Sequence, residues 1–297
     1  MRRYRNPKFY RFGLIYYRGC ARHKFRVEVM KKIYLLSVLL LLVACSGHVK
    51  NGTGEGTDSK ERVTIVETDS NLTVTVDDVT FKMIRVDGGS FLMGSNDGYD
   101  REKPIHQVTL NSYCIGETEV TQEQWKAVMG SNPSEFVGEK RPVESVSWEK
   151  CQTFISKLNE LTCKTFRLPT EAEWEFAARG GNKSKGYTYS GSNTVDEVAW
   201  YYSNCDNTTH DVATKDANEL GIYDMSGNVY EWCQDWENPK YYSMSSEKNP
   251  TGPSSGSFRV CRGGSWYGDD ATVCRVAYRC SGPPSQADSS IGLRLAL

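Results

Sequence analysis

Residues 218–236, NELGIYDMSGNVYEWCQDW, constrain the fold of this chain more than any other stretch. Asp224, Gly227, Asn228 and Glu231 put two carboxylates and a glycine turn close together, with Tyr223, Tyr230, Trp232 and Trp236 interleaved as large apolar anchors. Oxygen ligands spaced through a turn suit calcium, because that ion accepts carboxylates and backbone carbonyls in a flexible shell. The alternative is a Ser-Gly-Asn turn whose acids face solvent. Spacing alone favours the alternative, since the pattern is not that of an EF-hand loop.

The chain has 297 residues, room for one large domain or two small ones, and 38% hydrophobic content is enough for a core. A net charge of -1 makes no electrostatic case for nucleic acid. The 7 Trp and 17 Tyr say more, because aromatic rings bury much area and also line polar binding surfaces. Such a composition predicts an irregular, loop-rich fold.

Residues 1–29 are rich in Arg and Lys, unlike anything downstream, and read as an upstream extension with translation starting at Met30. Residues 30–45, MKKIYLLSVLLLLVAC, follow: Lys31 and Lys32 are a charged start and 33–43 an apolar core too short to span a bilayer stably. The ending Leu42-Val43-Ala44-Cys45 resembles the lipobox of bacterial lipoproteins, which implies cleavage before Cys45 and lipidation of its thiol. The expected location is the bacterial cell envelope, on the outer membrane or cell surface, with the lipid as the link to the membrane.

Residues 46–75 are polar and rich in Gly, Ser, Thr and Asn, and read as a flexible tether ahead of a domain at 76–297. Export would place the protein where disulfides persist. Beyond Cys45 the candidates are Cys114, Cys151, Cys163, Cys205, Cys233, Cys261, Cys274 and Cys280, whose pairing sequence cannot give.

Within the domain, 79–95 alternates apolar and polar residues around Gly88-Gly89, as in a hairpin, and 106–114 reads as another strand. Thr121 with Gln124, Ser147, and Thr170 with Glu173 are N-cap signals, each followed by a short amphipathic run. Gly130 and Gly180-Gly181 are placed as stops. From 182 to 257 turns dominate, and short strands return around RGGSW (262–266) and IGLR (291–294). Short helices among strands and long loops give a single α+β domain, expected to be monomeric.

The segments GGSFLMGS (88–95), TEVTQEQW (118–125), NPSEF (132–136), PVESVSW (142–148), RLPTEAEWEFAARGG (167–181), YDMSGNVYEW (223–232), RGGSW, RVAYR (275–279) and IGLRL (291–295) occur in one order. Together they resemble the formylglycine-generating enzyme, or sulfatase-modifying factor, family from about Phe81 to Leu297. The resemblance implies a variant of the C-type-lectin fold. It also implies a structural calcium site on Asp224 and Glu231 by side chain and Gly227 and Val229 by backbone carbonyl, and so reverses the preference that spacing alone gives.

Authentic members of that family oxidise a sulfatase cysteine to formylglycine with copper(I) held by a C-x4-C pair, the paired thiolates a soft ion needs. The matching interval here, 266–274, holds Cys274 alone, and Cys280 beyond Arg279 gives C-x5-C. Only an enzyme alternative would use Cys274 with Cys280 or Cys261 and copper. His106 and His210 are far apart and in no ligand motif; His106 is expected to pack. Ser265 lacks the frame of a nucleophile elbow. The glycine pairs at 88, 180 and 263 are explained by tight turns.

The expected function is therefore a binding module for a protein or glycan ligand. Tyr267, Asp269, Asp270, Thr272, Tyr278 and Asp288, with Gly268, Val273, Cys280, Ser281, Gly282, Ser285, Ser289 and Ser290, are scattered through a family-like framework, and such residue types suit adaptable recognition surfaces. The pattern also resembles the variable region of retroelement-diversified proteins, because each residue can be encoded by an NNC codon. The other classes weighed are a divergent oxidase and a structural lipoprotein of an envelope or secretion complex.

Overall fold

A computed structural model describes residues 62–268 and 270–297. The expected signal segment, Cys45, most of the expected tether, and Asp269 lie outside these residues.

The first sheet contains β1 (Val63–Glu67), β2 (Asn71–Val76), β3 (Val79–Val86) and β6 (Tyr113–Gly116), antiparallel in the order β1-β2-β3-β6. This corrects the boundary expected near residue 76. Leu72, Val74 and Val76 alternate with threonines and are at most 3% exposed, so β2 belongs to the core. Burying one such aliphatic side chain contributes about 1.5–3 kcal/mol. The polar composition around this strand hid a period-two pattern that the core uses.

The hairpin expected around Gly88-Gly89 is also corrected. β3 pairs with β2 and β6, while β4 (Gly89–Met93) pairs with β5 (His106–Leu110) as a separate ribbon. A Cβ on Gly88 would stand 2.5 Å from the Leu110 carbonyl oxygen, so glycine serves a close backbone approach there. The single strand expected over 106–114 is two, split at Asn111-Ser112 between different sheets.

The helices start where their caps predict. α1 (Gln122–Met129) opens on a reciprocal Thr121–Gln124 box and ends at Gly130, whose φ is 78°. α2 (Trp148–Thr162) is capped by Ser147 and buries Cys151, Phe154, Ile155 and Leu158 on one face. α3 (Glu171–Ala178) opens on a Thr170–Glu173 box. α4 (Val195–Val198) is a single turn. The Trp125 and Phe154 rings stack at 4.8 Å and join α1 to α2.

The second sheet holds β7 (Tyr230–Trp236), β8 (Arg259–Arg262), β9 (Cys280–Gly282) and β10 (Ile291–Gly292) in the order β10-β7-β8-β9. Beyond β10 the chain runs back along the first sheet. The Cys114 N–H donates to Leu297 O, Gly116 N–H to Leu295 O and Val120 N–H to Leu293 O. The molecule is an α+β domain of short strands, a few short helices and much loop.

Candidate functional site

The turn before β7 is built on left-handed backbone. Asp224, Gly227 and Asn228 have φ of 57°, 85° and 58°. Position 227 must be glycine, because a Cβ would lie 2.3 Å from the Trp200 carbonyl oxygen. Glu119 holds the turn from the far side: Asn228 Nδ2 donates to its Oε2 at 2.8 Å and the Val229 N–H to its Oε1 at 3.0 Å. Asp224 Oδ2 accepts the Ala213 N–H at 2.7 Å.

Glu231 is wholly buried and meets a guanidinium. Arg294 Nε donates to Oε1 at 3.0 Å and Oε2 at 2.9 Å, Arg294 Nη2 to Oε1 at 2.7 Å, and Trp174 Nε1 to Oε2 at 2.6 Å. A carboxylate offers about four lone-pair sites, so this one is saturated. Arg294 also bonds the Gly116 and Tyr223 carbonyls at 2.9 and 2.8 Å. Arg294 thus pairs with Glu231 directly, while among the described residues Asp224 and Glu119 meet no side-chain cation in this cluster at bonding distance. A calcium ion would find the Asp224 side chain and the Gly227 and Val229 carbonyls, but no free oxygen on Glu231. Among the described residues no group of three or more His, Cys, Asp and Glu side chains is arranged to hold a metal. Burial pushes Asp224 up to about 6, partly offset by the Ala213 bond and Arg294. Burial, then Asp224 and Glu231, push Glu119 well above its ordinary range.

A second buried network ties α3 to the C-terminal strands. Arg279 clasps Glu171 through Nε at 2.6 Å and Nη2 at 2.8 Å, and Arg262 bonds Glu175 and the Val276 carbonyl. Arg275 forks onto Glu102 at 3.0 and 2.8 Å. Although burial alone would raise it, the guanidinium groups of Arg179 and Arg262 hold Glu175 below the ordinary carboxylate range.

Between these anchored arginines lie the expected ligand-contacting residues. Tyr267 is 68% exposed beside Trp266, whose Nε1 donates to the Ser289 carbonyl at 2.7 Å and whose ring meets Phe136 edge-on at 5.0 Å. That bond ties Trp266 to the Asp288 loop, where Asp288 Oδ1 accepts the Ser290 N–H at 3.0 Å. Tyr278 stands elsewhere on the surface, edge-on to Tyr99 at 5.7 Å. Asp270 caps the Ala271–Cys274 turn by accepting the Thr272 N–H at 3.1 Å. Gly282 is the exception among the expected surface positions: it is buried, and a Cβ there would crowd Gln286 and Trp232.

Cys280 faces Cys261 across β8 and β9, and Cys274 is buried under the Gly264 turn, where burial pushes its thiol up to about 12. His106 packs on Tyr242 at 4.5 Å and His210 stacks on Trp200 at 3.8 Å.

Residues 72–297 match the family described as sulfatase-modifying factor enzyme 1-like domain. The chain belongs to this family. The chaperone protein LppX of Paenibacillus barcinonensis is 38% identical over 261 residues, covering 71% of this chain and 85% of LppX. The formylglycine-generating enzyme of Streptomyces coelicolor is 30% identical over 287 residues, covering 72% and 88%. The solved structure of Treponema denticola variable protein 1 superposes with a TM-score of 0.71 at 39% identity, over 77% of this chain and 99% of that one.

The sulfatase-modifying-factor scaffold thus rests on residues that spacing alone did not single out: Glu119, Trp174, Glu171, Glu175 and Arg294. For Arg294 the signal was a charge inside an otherwise apolar run, GLRLAL (292–297). A buried charge needs a buried partner.

Proposed function

We propose that this sulfatase-modifying-factor domain is a binding module for a protein or glycan ligand and not an oxidase. It is held at the bacterial cell envelope, on the outer membrane or cell surface, by a lipid on Cys45, and it acts as a monomer. One observation carries the reading: between the buried arginines 262, 279 and 294, Tyr267, Asp270, Thr272, Tyr278, Ser285 and Asp288 all reach solvent. A rigid frame with Tyr, Ser and Asp at its surface is how adaptable recognition sites are made. The likeness to a protein named as variable supports diversification of these positions.

A second reading, an accessory lipoprotein of an envelope or secretion complex, draws on the likeness to a protein named as a chaperone. The oxidase reading has the likeness to formylglycine-generating enzyme, but its copper would need Cys274 beside Cys280 or Cys261, and those two cysteines face each other across β8 and β9.

Sequencing this gene across a population of cells tests the first reading. Substitutions are expected at codons 267–290 on the solvent side, with Arg262, Arg279 and Arg294 constant. A population with no such variation, at a locus lacking a reverse transcriptase and a template repeat, would remove diversification from the account.

A further inference from the structure

We propose that Cys261 and Cys280 are joined as a disulfide in the exported protein, and that this bond clamps the two ends of the recognition segment. The two residues are direct cross-strand partners, one in β8 and the other opening β9. Opposed residues of an antiparallel pair have Cα atoms about 4.5–5.5 Å apart, inside the span that a disulfide bridges. The next residue in the same row across the sheet is Trp232, the β7 partner of Cys261. Cys261 is therefore enclosed on one side by an indole and on the other by a second sulfur.

The pair is chemically unequal. Cys261 is buried, whereas Cys280 is partly open to solvent. A hydrogen bond from Cys261 holds the Cys280 thiol below its ordinary value against the effect of burial, and Arg101 assists. Elsewhere burial pushes Cys151, Cys233 and Cys274 up. Cys280 is thus the thiolate that reacts first, because the thiolate and not the thiol is the nucleophile.

The reaction is a thiol–disulfide exchange with an oxidised dithiol of the export compartment. The Cys280 thiolate attacks one sulfur of that disulfide, breaking its S–S bond and forming a mixed disulfide. Cys261 loses its proton and attacks the Cys280 sulfur, releasing the oxidant as a dithiol. Two electrons and two protons pass from the cysteines to the oxidant.

The placement gives the bond a task. β9 is a three-residue strand at the sheet edge, with β8 as its strand partner. The bond closes residues 262–279 into a loop containing Tyr267, Asp270, Thr272 and Tyr278, and holds the start of the segment leading to Asp288. This role rests on the binding-surface reading; the bond itself does not.

The test uses the full chain exported into an oxidising compartment, digested with trypsin without reduction. Cleavage after Arg259, Arg262, Arg279 and Arg294 releases VCR and CSGPPSQADSSIGLR. The expected product is these two peptides linked, separating on reduction. Recovery of both as free thiols, or of Cys280 linked to another cysteine, overturns the proposal. Hydrogen exchange then tests the clamp: reduction, and separately Cys280→Ser, should speed amide exchange in 266–279 by about tenfold while the helices stay protected. Linked peptides with unchanged exchange would overturn the clamp. Neither readout uses a ligand, so failure to find a binding partner would leave both results standing.

Discussion

Arg294 lies along Glu231 with both side chains fully buried, Nη2 standing 2.7 Å from Oε1 and Nε bridging the two carboxylate oxygens. Removing one member of such a pair strands the other charge in the core. Arg294→Met should therefore cost about 3–5 kcal/mol. Pairing it with Glu231→Leu should recover part of that loss. Urea unfolding of the two variants checks this, and a single variant as stable as the parent would contradict the pairing.

The same saturation of Glu231 bears on calcium. A chelator is expected to leave the melting temperature of the purified domain unchanged, and millimolar calcium should not raise it. Binding to the native state alone would add about 2.7 kcal/mol at a hundredfold excess over Kd, which a thermal melt resolves. A calcium-dependent rise would show that the ion displaces Arg294 or sits on Asp224 and the carbonyls alone.

Asp235 gives the pH prediction. It is buried, its Oδ2 accepts the first N–H of α3 from Glu171 at 2.9 Å, and burial followed by the Glu171 charge push it up to about 8. A raised carboxylate pKa means that the folded state prefers the proton. Its stabilising contribution is complete below the unfolded value of about 3.9 and is lost as pH rises through 8. Asp235→Asn keeps the acceptor without the charge. It should match the parent near pH 4 and exceed it above pH 8 by at least about 1 kcal/mol. Parallel stability curves across that range would contradict the assignment.

The boundary can be tested by truncation. A chain starting at residue 62 keeps β1 and β2, whereas one starting at residue 77 loses the buried Leu72, Val74 and Val76. The shorter chain should aggregate or melt well below the longer one, by calorimetry. Equal melting temperatures would put the domain start back near residue 76.

The helices were legible in the sequence because a cap acts within three residues: Thr121, Ser147 and Thr170 each accept the N–H they were placed to accept. The order of motifs carried the fold. What could not be read was long-range charge pairing. Glu231 with Arg294, Glu171 with Arg279 and Glu102 with Arg275 join residues that only the finished fold brings together. The counter-charge of Glu231 lay in the C-terminal IGLRL segment, beyond any local pattern around 224–231. β2 was missed because its threonines and the polar run before it masked the alternation of Leu72, Val74 and Val76.

Under the proposed function, the solvent-facing residues of the C-terminal segment bind a ligand while the buried arginines hold the frame. Binding of the purified domain to an array of glycans and envelope proteins is measured alongside a Tyr267→Ala, Asp270→Asn double variant, in which Asn removes the charge and keeps the acceptor for the Thr272 N–H. At least one array partner is expected to bind the parent and to be lost in the variant, with the melting temperature unchanged because Tyr267 is exposed and Asn keeps the turn's cap. No partner above background, or a partner held equally by the variant, would contradict it.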